Sequence, residues 1–148
     1  MFKNAYHGGP AVEIFTTAGK DPLKGFKVEG GTKNVQKVFD KQLKGSIYTI
    51  EGPTTKIQVP PTEKESLGLI QPFLVLQIYI PSTAKNFKLE IAVVDSEKVK
   101  RRLNFHGGAA KGIVINPLHA RIPINQFKRD VWLNISIDVF AFAHFCFK

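Results

Sequence analysis

The sequence predicts an all-β fold, a sandwich or barrel of short strands, and three observations carry the prediction. Apolar residues recur at every second position in several segments, the period of a half-buried strand and not of a helix. The chain has 9 prolines and 12 glycines, and they fall largely between those segments, in GGP, DPLKG, EGPTT, VPPTEKES, IYIPS and HGGAAKG. Hydrophobic residues make up 43% and charged residues 22% of 148, a balance that packs a core. A chain of this length removes roughly 70% of its unfolded surface from water, so one domain over residues 1–148 is the simplest organisation.

The elements follow in order. TKIQVP alternates Ile57 and Val59 against Lys56 and Gln58. FLVLQIYI, residues 73–80, is apolar almost throughout and predicts a central strand covered on both faces. NFKLEIAVVD sets Phe87, Leu89, Ile91 and Val93 against Lys88, Glu90 and Ala92. VWLNISID sets Val131, Leu133, Ile135 and Ile137 against Trp132, Asn134 and Ser136. Asp138 can cap a helix, and VFAFAHFCF after it is apolar but for His144, which fits a short buried helix or a strand. The chain ends there without a turn or a polar tail, so a piece of a longer domain is expected.

KVKRRLNF also alternates, with Val99, Arg101, Leu103 and Phe105 against Lys98, Lys100, Arg102 and Asn104. It follows the 86–94 strand closely, which predicts an antiparallel hairpin. Matching the apolar faces sets the parity of the register, and a loop of Asp95, Ser96 and Glu97 satisfies it. Val93 then lies opposite Val99, Leu89 opposite Leu103 and Phe87 opposite Phe105. On the outer face Glu90 meets Arg102, while Lys88 lies opposite Asn104 and stays unpaired. Arg101 points to the apolar side and must snorkel to the rim or find a carboxylate. Lys88, Lys98, Lys100 and Arg102 are expected to share one exposed face, either as a solvated surface whose lysines protect an edge or as a footprint for an acidic partner.

The net charge of +9 favours the partner. Single-stranded nucleic acid wants aromatics among the cations, and here Phe87 and Phe105 point inward, so no nucleic acid is expected. No basic amphipathic helix and no run long enough to span a bilayer is present, which argues against a membrane partner. An acidic protein surface fits best. With Cys146 the single cysteine and no apolar signal-peptide core in MFKNAYHGGP, a reducing compartment such as the cytoplasm is expected.

Chemistry is hard to find. HGGAAKGI, residues 106–113, lacks the Ser or Thr that a phosphate-binding loop carries after its lysine and reads as a connection between strands. His7, His106, His119 and His144 have no metal-pairing spacing; His119 is expected on a strand facing solvent or a sheet neighbour, and His144 in the core. Cys146 lacks the setting of a nucleophile, and acidic residues are scattered singly. No enzyme, metal or cofactor is expected.

Several blocks together resemble a known family. MFKNAYHGG, TIEG, KIQVP, SLGLIQPFLVLQIYIP, FKLEIAVVDSEKVKRRLNF and VWLNISIDVFAF occur in this order. The most specific are Leu67, Gly68, Pro72, Phe73, Leu74 and Val75; Val99, Arg101 and Arg102; and Trp132 followed by Asp138. They resemble the domain of cilia- and flagella-associated protein 20, most closely as it stands in the larger relative named for containing that domain. The resemblance implies an antiparallel, jelly-roll-like β-sandwich with a short helix near Asp138, and further strands beyond this C-terminus. It implies a non-enzymatic structural role on axonemal microtubules of cilia and flagella, of the doublet inner-junction type or at centriole and basal-body walls. Tubulin and neighbouring axonemal proteins are the implied partners, and acidic tubulin would meet the cations. The alternative is a carbohydrate-binding or other protein-interaction β-sandwich, with Tyr48, Tyr79 and Trp132 as candidate platform residues, although two of them sit in strongly apolar runs.

Overall fold

The computed structural model describes residues 11–84, 86–108 and 112–148. His7, the opening MFKNAYHGG and the 109–111 part of the glycine-rich connection lie outside the described residues. The chain is all-β, with one short C-terminal helix among the described residues, and it forms two compact units, Met1–Gln71 and Pro72–Lys148.

In the first unit, β1 (Lys27–Glu29) pairs antiparallel with β4 (Lys56–Gln58), and β2 (Val35–Asp40) with β3 (Gly45–Ile50). The β2–β3 turn closes as its composition demands: Asp40 Oδ1 accepts from the Leu43 amide at 2.8 Å, and Lys44 takes φ 53°. After β1 the chain needs glycine. Gly30 has φ +83°, and a Cβ there would sit 2.7 Å from the Thr54 carbonyl oxygen. Glu29 lies directly opposite Lys56 and bonds both Lys56 (2.9 Å) and Lys27 (2.6 Å), which hold its carboxyl down to about 2.

The second unit holds the buried core. β5 (Phe73–Tyr79) pairs antiparallel with β10 (Trp132–Asp138), from Trp132 opposite Tyr79 to Asp138 opposite Phe73. A second sheet runs in the order β6 (Lys88–Val94), β7 (Lys100–His106), β9 (His119–Pro123), β8 (Val114–Ile115). Between the sheets pack Leu103, Phe105, Ala120, Ile122, Ile124 and Ile137, with Leu74, Leu76 and Ile135 against them. This is the predicted sandwich: alternate residues of each strand point into one shared apolar layer. One pair departs from the antiparallel expectation. β9 lies between β7 and the edge strand β8, and the turn after β8 lays it antiparallel to β8 and parallel to β7.

The apolar tail is a helix, α1 (Val139–Phe147), and Asp138 Oδ1 caps it by accepting from the Ala141 amide at 2.8 Å. Its helical period puts Cys146, Phe142, Val139 and Phe147 against the core and leaves Phe140 and Phe145 exposed, Phe140 by 73%. His144 falls on that exposed side, not in the core as its apolar neighbours suggested. Burial pushes the Cys146 thiol above its ordinary value. The expectation for residues 73–80 also needs correcting. β5 alternates, turning Leu74, Leu76 and Ile78 inward and exposing Phe73, Val75 (69%) and Tyr79. Among the described residues β5 has β10 as its only sheet neighbour, and only one of its faces meets a second layer.

Candidate partner-binding face

The hairpin that carries the basic strip keeps the expected parity but slides by two residues. Leu89 lies opposite Phe105, Ile91 opposite Leu103, Glu90 opposite Asn104 and Lys88 opposite His106. The reason is the turn. Asp95 and Val99 close it, and the three-residue loop is 96–98, with the Lys98 amide bonding the Asp95 carbonyl at 3.1 Å and Lys98 in the left-handed region at φ 65°. Asp95 Oδ1 also accepts from the Val99 amide at 2.8 Å and the Glu97 amide at 3.0 Å, which makes Asp95 part of the turn and not of a looser loop.

Leu103 and Phe105 therefore point into the core as expected, and Lys88, Lys100 and Arg102 occupy the opposite, outward face. Lys98 does not join them in the strand; it sits in the exposed turn beyond. Glu90 and Arg102 still meet, now as a diagonal pair, with Arg102 Nη1 2.6 Å from Glu90 Oε1. Lys88 is not unpaired: its Nζ lies 3.6 Å from the other Glu90 oxygen. One carboxylate thus orients two cations of the strip.

Arg101, the inward-pointing anomaly, finds a carboxylate and more. Its Nε donates to Asp95 Oδ2 at 2.7 Å, its Nη1 donates to the Pro117 carbonyl, and the guanidinium lies 5.4 Å from the Phe147 ring centroid. One side chain ties the hairpin turn, the 116–118 turn and the end of α1 together. Bonds from the Val99 amide and then from Arg101 hold the Asp95 carboxyl below its ordinary value.

Two residues that the sequence did not place on this face join it, although His119 was expected on a strand. The parallel register sets His119 beside Arg102 and Arg121 beside Asn104, and inward burial of Ala120 and Ile122 turns His119 and Arg121 outward, where both are exposed. The signal was present in LHARIP, which also alternates, but nothing in sequence says which strand lies next to β7. Among outward positions of β6, β7, β8 and β9, Glu90 is the one acidic residue, and none is Phe, Tyr or Trp. Asn104, at the centre, is 7% exposed and its Oδ1 has no hydrogen-bond partner.

The aromatic candidates form no platform. Tyr79 and Trp132 pack side by side at 5.7 Å with planes 57° apart, and Tyr48 sits edge-on to Phe15 in the first unit. Among the described residues no cluster of three His, Cys, Asp or Glu could hold a metal, and no helix is long and apolar enough to cross a membrane.

Fold and face together define a β-sandwich module that offers a positively charged sheet surface. The model of the CFA20 domain family matches residues 1–148, and the chain belongs to that family. It is 31% identical over 105 residues to cilia- and flagella-associated protein 20 of Chlamydomonas reinhardtii, covering 69% of this chain and 54% of that protein. The protein of the same name from Paramecium tetraurelia is 31% identical over 105 residues as well, 69% of this chain and 53% of its own length. The chain spans about half the length of the curated relatives it matches.

Proposed function

We propose that this chain is a non-enzymatic structural module of the ciliary and flagellar axoneme, with residues 1–148 working as one domain that binds microtubules and braces or bridges their walls, as at the inner junction of a doublet. The observation that carries the reading is the gathering of Lys88, Lys100, Arg102 and Arg121 on one sheet face that holds a single carboxylate, in a member of a family whose relatives are named for cilia and flagella. A net charge of +9 supports an acidic partner such as tubulin, with neighbouring axonemal proteins as further contacts. Each rim charge contributes on the order of 0.2–1 kcal/mol, so binding draws on several together with shape fit and weakens as salt screens them.

Co-sedimentation with microtubules tests this. The bound fraction should fall steeply with salt, and Lys98→Glu with Lys100→Glu should lower it. Arg102 is the wrong residue to reverse, because a glutamate there would face Glu90 and disturb the hairpin itself. Pelleting indifferent both to salt and to the double reversal would rule the face out as the contact.

A further inference from the structure

We propose that this face holds an extended, glutamate-rich polypeptide laid along β9, with Arg121 and His119 forming a second row of contacts beside Lys100 and Arg102. The inference rests on the reading above and adds the chemistry and conformation of what the face meets. β7 and β9 run parallel, so their outward positions fall in step, Arg102 beside His119 and Asn104 beside Arg121. Along each strand outward side chains repeat every 6.6 Å or so, and the strands lie about 4.8 Å apart. An extended peptide has the same repeat. Carboxylates at every second residue of such a chain fall in step with Lys100 and Arg102 on β7 and with His119 and Arg121 on β9.

Charge points to the β9 side in particular. Lys88 and Arg102 both engage Glu90, while the Arg121 side chain is exposed and, among the described residues, makes neither a hydrogen bond nor an ion pair. Its charge is uncompensated within the fold, so an incoming carboxylate loses nothing native by taking it. The absence of aromatic residues from the outward positions disfavours single-stranded nucleic acid, which wants stacking surfaces. A carboxylate-bearing peptide needs none.

The probe is a fluorescent peptide of alternating Glu and Gly, titrated with the protein at low salt and read by anisotropy. Wild-type protein binds it, and Arg121→Glu weakens binding about tenfold, since a reversal converts one attraction into a repulsion. Lys37→Glu, the same charge change at an exposed position on β2, leaves it nearly unchanged. Arg121→Gln, a milder change, gives an intermediate loss, and an unaltered circular dichroism spectrum in each variant shows the fold intact. The inference is overturned if Arg121→Glu binds the peptide like wild type, or if oligo-dT of equal length binds as tightly as the peptide. It is also overturned if wild type ignores the peptide yet pellets with microtubules, which leaves the module reading standing. Failure of wild type to pellet would sink the module reading even with the peptide bound.

Discussion

Arg101 is where a single substitution should report on the whole second unit. Its side chain is 16% exposed, donates to the Pro117 carbonyl and lies over the Phe147 ring. A largely shielded cation over an aromatic face contributes about 1–2 kcal/mol. Removing the guanidinium also loses its charge-assisted hydrogen bond to the exposed Pro117 carbonyl, a net contribution of about 1 kcal/mol once water replaces it. These two contacts alone put Arg101→Ala about 2–3 kcal/mol below wild type, or roughly 4–12 °C in melting temperature for a chain of this size. Thermal and urea melts followed by circular dichroism measure it. Arg101→Lys should recover only part of the loss, because an ammonium cannot bond along a fork and stack on Phe147 at once. Phe147→Ala combined with Arg101→Ala should reveal a coupling of about 1 kcal/mol. An Arg101→Ala protein that melts like wild type, or a cycle with no coupling, would refute the idea that this side chain clasps hairpin and helix together.

Two further predictions concern polar groups. The Glu29 carboxyl is held down to about 2 by Lys27 and then Lys56, below its ordinary 4.5, so its ionised form favours the folded state; that contribution is complete above its ordinary value and fades as pH falls toward 2. Glu29→Gln should therefore lower the urea midpoint near neutrality and converge on wild type in acid, and parallel pH profiles for the two would contradict the assignment. Asn104→Leu exchanges a buried, unbonded carbonyl for apolar volume of similar size and should raise stability by about 1 kcal/mol, a gain readable as a later urea midpoint. A loss of stability would mean that Oδ1 is bonded to buried water.

Much of the second unit was legible locally. Alternation in 87–93 and 99–105 depends only on neighbouring residues, so it assigned Leu89, Ile91, Leu103 and Phe105 to the core and Lys88, Lys100 and Arg102 to the outside. Asp138 was legible as a possible cap for the same reason, since its carboxylate reaches the amide three residues on; that the Phe-rich run after it is a helix and not a strand was left open and the structure decided it. The register was not. A slide of two residues leaves every side chain on its own face, so hydrophobic pattern cannot detect it, and the outcome turned on whether Asp95 belongs to the strand or the turn. No glycine flagged the left-handed position either, because Lys98 occupies it.

What the sequence determined by itself is a set of local facts: which residues alternate, which face most of them take, that Asp138 can cap a helix, and that the balance of charge is strongly positive. Only the tertiary structure decided that β9 runs parallel beside β7, bringing Arg121 and His119 to the basic face, that Arg101 is satisfied by Asp95, Pro117 and Phe147, and that β5 exposes Phe73, Val75 and Tyr79. The physical reason is range. Periodicity and capping arise from contacts a few residues apart, whereas strand order and coverage depend on segments that meet only when the chain closes loops whose cost changes little with length, so neighbouring residues carry no record of them.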